Sequence, residues 1–377
     1  MPDRKLRITF ITERPGLSGG ARVIADYANA LLDNGHDVRV FAQPVKTPTL
    51  KQKIRAAVTG KPVQPARHAS PFFDKLGDRF QRLPSAGPAR AADLPDADIV
   101  VANFWTTAEP VAALPATKGV KVYFMQDYGA EGQPIDDVRK TWRLGLKTIT
   151  VNAALKAQVE AASGDIARVV SCGVDPLFAR EQSRGFRNGP PTAGFVFSNN
   201  AMKGSRYCIE AIENARLHIP DLRAVAFGPS AAGPSMKPLP ASIGFRSQVT
   251  DLEAKAIYES ADLWLFGSIN EGFGLPILEA MASGTPVIAS RAAAAPDILS
   301  TGGGYLVDPE SPDQMAARMV EICTLDAHRW ANLSNAARHT AGRFSLEKAR
   351  RNFEAALIDA AQGRWAVREP AVTTPAE

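Results

Sequence analysis

Short apolar runs recur along this chain, and most are continuous rather than alternating. Arg7–Thr12, Val38–Ala42, Asp98–Ala102, Val120–Met125 and Thr148–Val151 make up the first series. Continuous runs of that length mark parallel strands covered on both faces. Between the first two, Val23, Ile24, Tyr27, Ala28, Leu31 and Leu32 fall on one side of a helix that should end near Gly35. Residues 180–192, with Gly185, Gly189, Pro190, Pro191 and several charges, read as a linker. A second series follows: Gly194–Phe197, a helix around 205–218, Arg223–Phe227, a helix opening at Thr250, Asp262–Phe266, a helix after Pro276, and Pro286–Ala289. Thr250 with Glu253 has the spacing of a capping box, as does Ser311 with Gln314. The pattern predicts an α/β protein of two doubly wound domains facing a central cleft, which the carboxyl ends of the strands would line. The expected divisions are 1–180, a linker at 181–192, a second domain at 193–344, a helix at 345–365 and a loose tail at 366–377.

One stretch departs from scaffold composition. Glu271-Gly-Phe-Gly-Leu-Pro-Ile-Leu-Glu279 sets two carboxylates on either side of a glycine turn that runs into a helix. Gly272 and Gly274 allow backbone conformations and close approaches denied to other residues. Pro276 suits a first helical turn, and Gly284 followed by Pro286 suits its end. Free amides and the positive end of the helix dipole would face one spot, which favours a phosphate. Glu271 and Glu279 would then hold hydroxyl groups on either side of the anion, as a sugar nucleotide requires.

These residues resemble the donor signature of the family-four retaining glycosyltransferases of the GT-B fold. The resemblance extends to Ser171-Cys-Gly-Val-Asp-Pro-Leu-Phe178, to Lys203-Gly204, to the glycine loop Ser18-Gly-Gly-Ala-Arg-Val-Ile24, and to Gly304-Tyr-Leu-Val-Asp-Pro309. The local pattern is similar to bacterial transferases that build surface polysaccharides, rhamnosyltransferases among them. The resemblance implies a retaining, metal-independent hexosyl- or deoxyhexosyltransferase without a cofactor. Its donor would be a nucleoside-diphosphate sugar, its acceptor a glycan or a lipid-linked glycan. Glu279 would take the ribose hydroxyls and Glu271 the sugar hydroxyls, with Glu271 as covalent nucleophile the chemical alternative. The amides of Gly272, Phe273, Gly274 and Leu275, with Lys203, would cradle the diphosphate and stabilise the departing nucleotide. Gly19 and Gly20 would lie across the cleft, Gln126 would bond the donor sugar, and Asp127 would orient the acceptor hydroxyl. The family usually carries an arginine five residues before Lys203, where this chain has Ser198. Arg206, Arg246 or a first-domain residue would have to replace that charge. The last helix would cross back to the first domain. A sugar-nucleotide-binding protein without turnover, or a GT-B epimerase or phosphorylase, are the alternative readings.

The first glycine loop also invites a dinucleotide-binding reading, but Gly16-Leu-Ser-Gly-Gly20 lacks the Gly-x-Gly-x-x-Gly order, and the second strand ends in Phe41-Ala-Gln43 without a ribose-binding acid. At 377 residues, 45% apolar and 22% charged, the chain has ordinary globular composition and length for two cores. No run approaches the roughly 18 apolar residues of a membrane span. Cys172, Cys208 and Cys323 are scattered, the five histidines form no ligand-like group, and the N-terminal residues lack a signal-peptide core. These features predict a cytoplasmic protein with no structural metal. The charge is uneven. Residues 46–90 hold ten Lys/Arg against two Asp, a local excess of +8 in a chain of net charge +5. Leu50, Ile54, Val58, Phe72, Phe73, Leu76 and Phe80 interleave with it. That insertion, taken as 45–92, resembles a basic amphipathic surface for anionic lipid, which would place the protein at the inner face of the plasma membrane. A solvated loop is the plainer reading, and no nucleic-acid module accompanies the patch.

Overall fold

The computed structural model describes residues 5–13, 19–44, 71–128, 134–182, 189–229 and 239–366. Among the described residues, thirteen strands, β1 to β13, form two all-parallel sheets. In the first, β1 (Arg7–Thr12), β2 (Asp37–Ala42), β3 (Phe80–Arg82), β4 (Ile99–Ala102), β5 (Val120–Met125), β6 (Lys147–Thr150) and β7 (Arg168–Val169) lie in the order 3-2-1-4-5-6-7. In the second, β8 (Thr192–Val196), β9 (Arg223–Gly228), β10 (Ile243–Ser247), β11 (Leu263–Phe266), β12 (Val287–Ser290) and β13 (Gly304–Val307) lie in the order 10-9-8-11-12-13. Each order reverses once, between β1 and β4 and between β8 and β11, and such switch points are where open parallel sheets bind ligands.

The strands are sheet-formers for the expected reason: both faces are covered. Ile8, Phe10, Val38, Val40, Ile99, Val101 and Phe124 are buried in the first sheet, and Phe195, Leu263, Trp264, Leu265, Val287 and Ile288 in the second. The helix Gly19–Asp33 lays Val23, Ile24, Tyr27, Ala28 and Leu31 on the first sheet and gives way to Gly35 in a left-handed conformation. The Thr250–Glu253 capping box forms, with Thr250 Oγ1 accepting from the Glu253 amide at 3.3 Å and the Glu253 carboxylate accepting from the Thr250 amide at 2.7 Å. The Ser311–Gln314 box does not. Helix Pro312–Cys323 begins there without a side-chain cap, because Gln314 turns back to pair with Asp308.

The last helix, Leu346–Ala361, leaves the second sheet and packs on the first. Phe353, fully buried, sits among Tyr27, Phe124 and Phe10 with ring centroids 4.6, 4.9 and 6.2 Å away. Arg350 pairs with Asp26, and Glu354 accepts from Asn34 and meets His36 at 2.9 Å. The chain thus passes between the domains twice, side by side. Val174 bridges Ser345, and its amide donates to the Phe344 carbonyl at 2.8 Å.

The basic insertion needs correction where it is described. Phe73 and Leu76 are core residues, and Phe80 stacks on Phe73 at 4.9 Å, so these side chains are not available to a lipid surface. Lys75, Arg79 and Arg90 pair with Asp33, Asp37 and Asp93. Residues 45–70 lie outside the described residues, as does the proposed tail from 367 on. Among the described residues, no helix is long and apolar enough to cross a membrane.

Candidate active site

The turn after β11 is built by two glycines with different jobs. Gly274 has φ 97° and stands just before helix Leu275–Ala282, a left-handed geometry that favours glycine. Gly272 has an ordinary φ, contrary to the reading that both glycines serve backbone freedom. Its role is close approach: a Cβ there would lie 1.6 Å from the main-chain oxygen of Gln126, across the cleft. Asn152, itself buried, completes that contact by donating from Nδ2 to the Gly272 carbonyl at 2.7 Å. The helix buries Ile277, Leu278, Ala280 and Met281. Pro276 falls in its first turn, and Gly284 closes it with φ 83°.

Glu271 faces Lys203 and Ser268. Lys203 Nζ donates to its Oε1 at 2.6 Å, and Ser268 Oγ to its Oε2 at 3.0 Å. Lys203 is brought there by Gly204, whose φ is 62° and whose added Cβ would lie 1.7 Å from the Gly267 carbonyl oxygen. Only glycine lets the loop after β8 run so close to the end of β11. Lys203 and Glu271 are therefore a preformed pair at the switch point of the second sheet, one cation and one acceptor of hydroxyl protons.

Glu279 lies one turn inside the helix, its side chain 15% exposed. Burial raises its carboxyl pKa above the usual glutamate range, while a hydrogen bond from Tyr258 Oη at 2.8 Å and the charge of Arg22 oppose that rise. Tyr258 is fixed in a fully buried aromatic nest, 4.4 Å from Trp264, 5.5 Å from Phe227 and 5.9 Å from Phe178, centroid to centroid. Phe178 ends the segment Ser171–Phe178, so that motif supports the site from behind.

Across the cleft, Gln126 follows β5 and donates from Nε2 to the Gly20 carbonyl at 3.2 Å. Gly19 lies against Leu275, with an added Cβ 3.8 Å from its Cδ1. Asp127 adjoins Gly272. Gly19, Gly20, Gln126, Asp127, Gly272 and Leu275 are thus brought together, and Lys203 meets Glu271. Glu279 stands apart from that pair, with its own partners. Phe273 is a core residue, its ring 6.3 Å from Phe344, so only its backbone is offered to the cleft. Ser198 stands where the arginine was expected and brings no charge; its hydroxyl accepts from the Asn200 amide at 3.2 Å. Arg206 lies over Tyr207 and pairs with Glu310.

The sequence reading missed three residues that the geometry makes prominent. Arg22 shows in the sequence only as part of the glycine loop, yet its guanidinium reaches Asp251, Asp175 and Glu279. Tyr258 is one apolar position among many on its helix. Asn152 carries a legible signal, since an asparagine before Ala-Ala-Leu is a helix cap, and it does accept from the Leu155 amide at 2.7 Å. Its reach to Gly272 is tertiary. A cavity of about 250 Å³ opens beside Arg22, lined also by Asp26, Tyr27, Asp251, Leu275 and Glu279 among others. Among the described residues, no three His, Cys, Asp or Glu side chains gather in a metal-holding group.

Residues 17–177 match the family described as Glycosyltransferase Family 4, and residues 190–324 match Glycosyl transferases group 1. The chain is 33% identical over 184 residues to a D-inositol 3-phosphate glycosyltransferase of Corynebacterium kroppenstedtii, covering 44% of this chain and 40% of that one. It is 30% identical over 180 residues to an MMP alpha-(1->4)-mannosyltransferase of Mycolicibacterium hassiacum, covering 45% and 43%. The match therefore spans under half the length of these curated relatives. Among solved structures, sucrose-phosphate synthase from Thermosynechococcus elongatus superposes with a TM-score of 0.73 at 17% identity, covering 96% of this chain and 100% of that one. Anabaena HepE in complex with UDP-glucose does so with 0.67 at 18%, covering 94% and 100%. The fold is GT-B.

Proposed function

We propose that this chain, whose two halves carry matches to family 4 and group 1 glycosyltransferases, transfers a sugar from a nucleoside-diphosphate donor to a glycan or lipid-linked acceptor, with retention and without a metal. The observation that carries this reading is the turn between Glu271 and Glu279. It places a cation-paired carboxylate, a glycine turn, a helix N-terminus and a second carboxylate in that order along one wall of the cleft. Lys203 would leave Glu271 for the diphosphate, freeing Glu271 to accept from the sugar hydroxyls. The helix N-terminus and the amides of Gly272–Leu275 add fixed positive potential for the same anion. Glu279 would accept from the ribose. With the first domain against Gly272, water is excluded from the reacting bond. Asp127, beside Gly272, would orient the incoming hydroxyl.

Support for a sugar-nucleotide donor comes from HepE, solved with UDP-glucose, and support for a cell-surface acceptor from WaaG, whose structure is described as that of a glycosyltransferase involved in lipopolysaccharide biosynthesis. The inner membrane face is the proposed place of work, with the cations of residues 46–90 as the contact. Equal sedimentation with neutral and anionic vesicles would remove that part. The lack of an arginine at Ser198 favours one rival, a protein that binds sugar nucleotide without turnover. The test is calorimetric binding of UDP, GDP, ADP and dTDP to wild type and Glu279→Ala, followed by turnover with the sugar of whichever binds. One nucleotide should bind, and binding should weaken in the variant. Binding without turnover would select the rival, and no binding would remove both.

A further inference from the structure

Among the described residues, the largest set of charged contacts across the cleft is made by one that the donor reading leaves unused. Arg22 stands in the first turn of helix Gly19–Asp33, on the first domain. Its guanidinium lies 3.1 Å from Asp251 and 3.8 Å from Glu279, both on the second domain, and 3.5 Å from Asp175 in the crossing segment. The charged and titratable groups facing Glu279, among the described residues, are Arg22, Asp251, Asp175 and the Tyr258 hydroxyl. Only Arg22 is positive.

We propose that Arg22 is a positioning residue for the donor nucleoside, holding Glu279 as a carboxylate aimed into the cleft from the opposite domain. The proposal rests on Glu279 as the nucleoside-binding carboxylate. A carboxylate that accepts from two ribose hydroxyls must be ionised, because the protonated acid presents a donor where an acceptor is needed. Burial and the two aspartates work against ionisation, while Arg22 and the Tyr258 hydroxyl favour it. Tyr258 belongs to the second domain and stays with Glu279 in any domain arrangement. Arg22 does not. When the cleft opens, Glu279, Asp251 and Asp175 lose their shared counterion together, and when it closes the ribose acceptor is restored. Nucleotide recognition and closure would then be one event.

The experiment is calorimetric titration between about pH 5 and pH 8.5, using the nucleoside diphosphate that wild type binds among UDP, GDP, ADP and dTDP. The proteins are wild type, Arg22→Gln, Arg22→Lys and Glu279→Gln. Loss of Arg22 raises the Glu279 pKa further, so binding should fail earlier as pH drops. In Arg22→Gln the acid limb should move up by about one pH unit, making binding about tenfold weaker on that limb and close to wild type at the alkaline end of the range. Arg22→Lys should recover most of the shift. An unmoved pH profile in Arg22→Gln would overturn the proposal, as would a loss of affinity equal at every pH. If wild type binds none of the four, or Glu279→Gln binds like wild type throughout, the nucleotide reading itself falls and takes the Arg22 proposal with it. That result is separable from a failure of Arg22 alone.

Discussion

Gly272→Ala tests whether the closed cleft is the working state. A methyl there would lie 1.6 Å from the Gln126 main-chain oxygen and 3.3 Å from the Asp127 Cβ, where real contacts stay beyond 3.0 Å. The obstructing atom is backbone at the end of β5, so a side-chain rotation cannot relieve it. The two surfaces must separate by about 1.4 Å, and a misplacement of about 1 Å can lower a rate by about a hundredfold. That corresponds to about 2.7 kcal/mol. The same separation stretches the 2.7 Å bond from Asn152 to the Gly272 carbonyl, worth about 1 kcal/mol. At the alkaline end of the pH range, where loss of Arg22 costs little, nucleotide affinity rests on Lys203, the helix N-terminus and Glu279, and should fall by less than about tenfold. Turnover, followed as nucleoside-diphosphate release with donor and acceptor present, should fall by about a hundredfold or more. Hydrolysis of the donor relative to transfer should rise, because a cleft held ajar admits water. Wild-type turnover with wild-type affinity would refute the reasoning, since the contact at Gly272 would then have no part in the cycle.

Other substitutions probe the supports. Phe353→Ala empties a site closed by Phe10, Tyr27 and Phe124 and should cost about 3–5 kcal/mol in urea unfolding; a loss under about 1 kcal/mol would mean the last helix contributes little. Asn152→Ala removes both a helix cap and the cross-cleft bond, so it should lower stability by about 1–2 kcal/mol and turnover more than nucleotide affinity; equal losses in the two would contradict its cross-cleft role. The raised pKa of Glu279 means the folded state holds a proton that the unfolded chain releases at lower pH. Stability from this group is full below the unfolded pKa and declines as pH rises through the folded one. Glu279→Gln should therefore melt higher than wild type at pH 8, and the gap should close toward pH 4; a gap that widens on acidification would reverse the sign.

Most of the fold was legible because parallel strands buried on both faces leave short apolar runs, unbroken in β4, β8, β9 and β11 and broken by one polar residue in β1, β2 and β5. β3, β7 and β10 escaped for the converse reason. Phe80–Arg82 and Arg168–Val169 are too short to show a period, and Ile243–Ser247 is an exposed edge strand with a single buried residue. The glycine turn and Lys203-Gly204 were readable because close backbone approach admits only glycine, which leaves a mark in the sequence. Arg22 and Tyr258 left none. Their importance comes from which carboxylates the fold carries to them, and an arginine on a helix reads the same whether it meets three acids or water. Phe72, Phe73, Leu76 and Phe80 misled because apolar residues spaced among cations look alike whether they face a membrane or a core.

The return of the last helix also orders events during synthesis. The cluster of Phe10, Tyr27, Phe124 and Phe353 is closed by residues from opposite ends of the chain. A ribosome that has made all seven strands of the first sheet has still not made the aromatic ring that seals it. The first domain therefore waits, with that face uncovered, while the entire second domain emerges. Non-local closure of this kind slows folding and exposes apolar surface meanwhile. A chain stopped before residue 345 would carry a finished second sheet beside a first one still missing its lid.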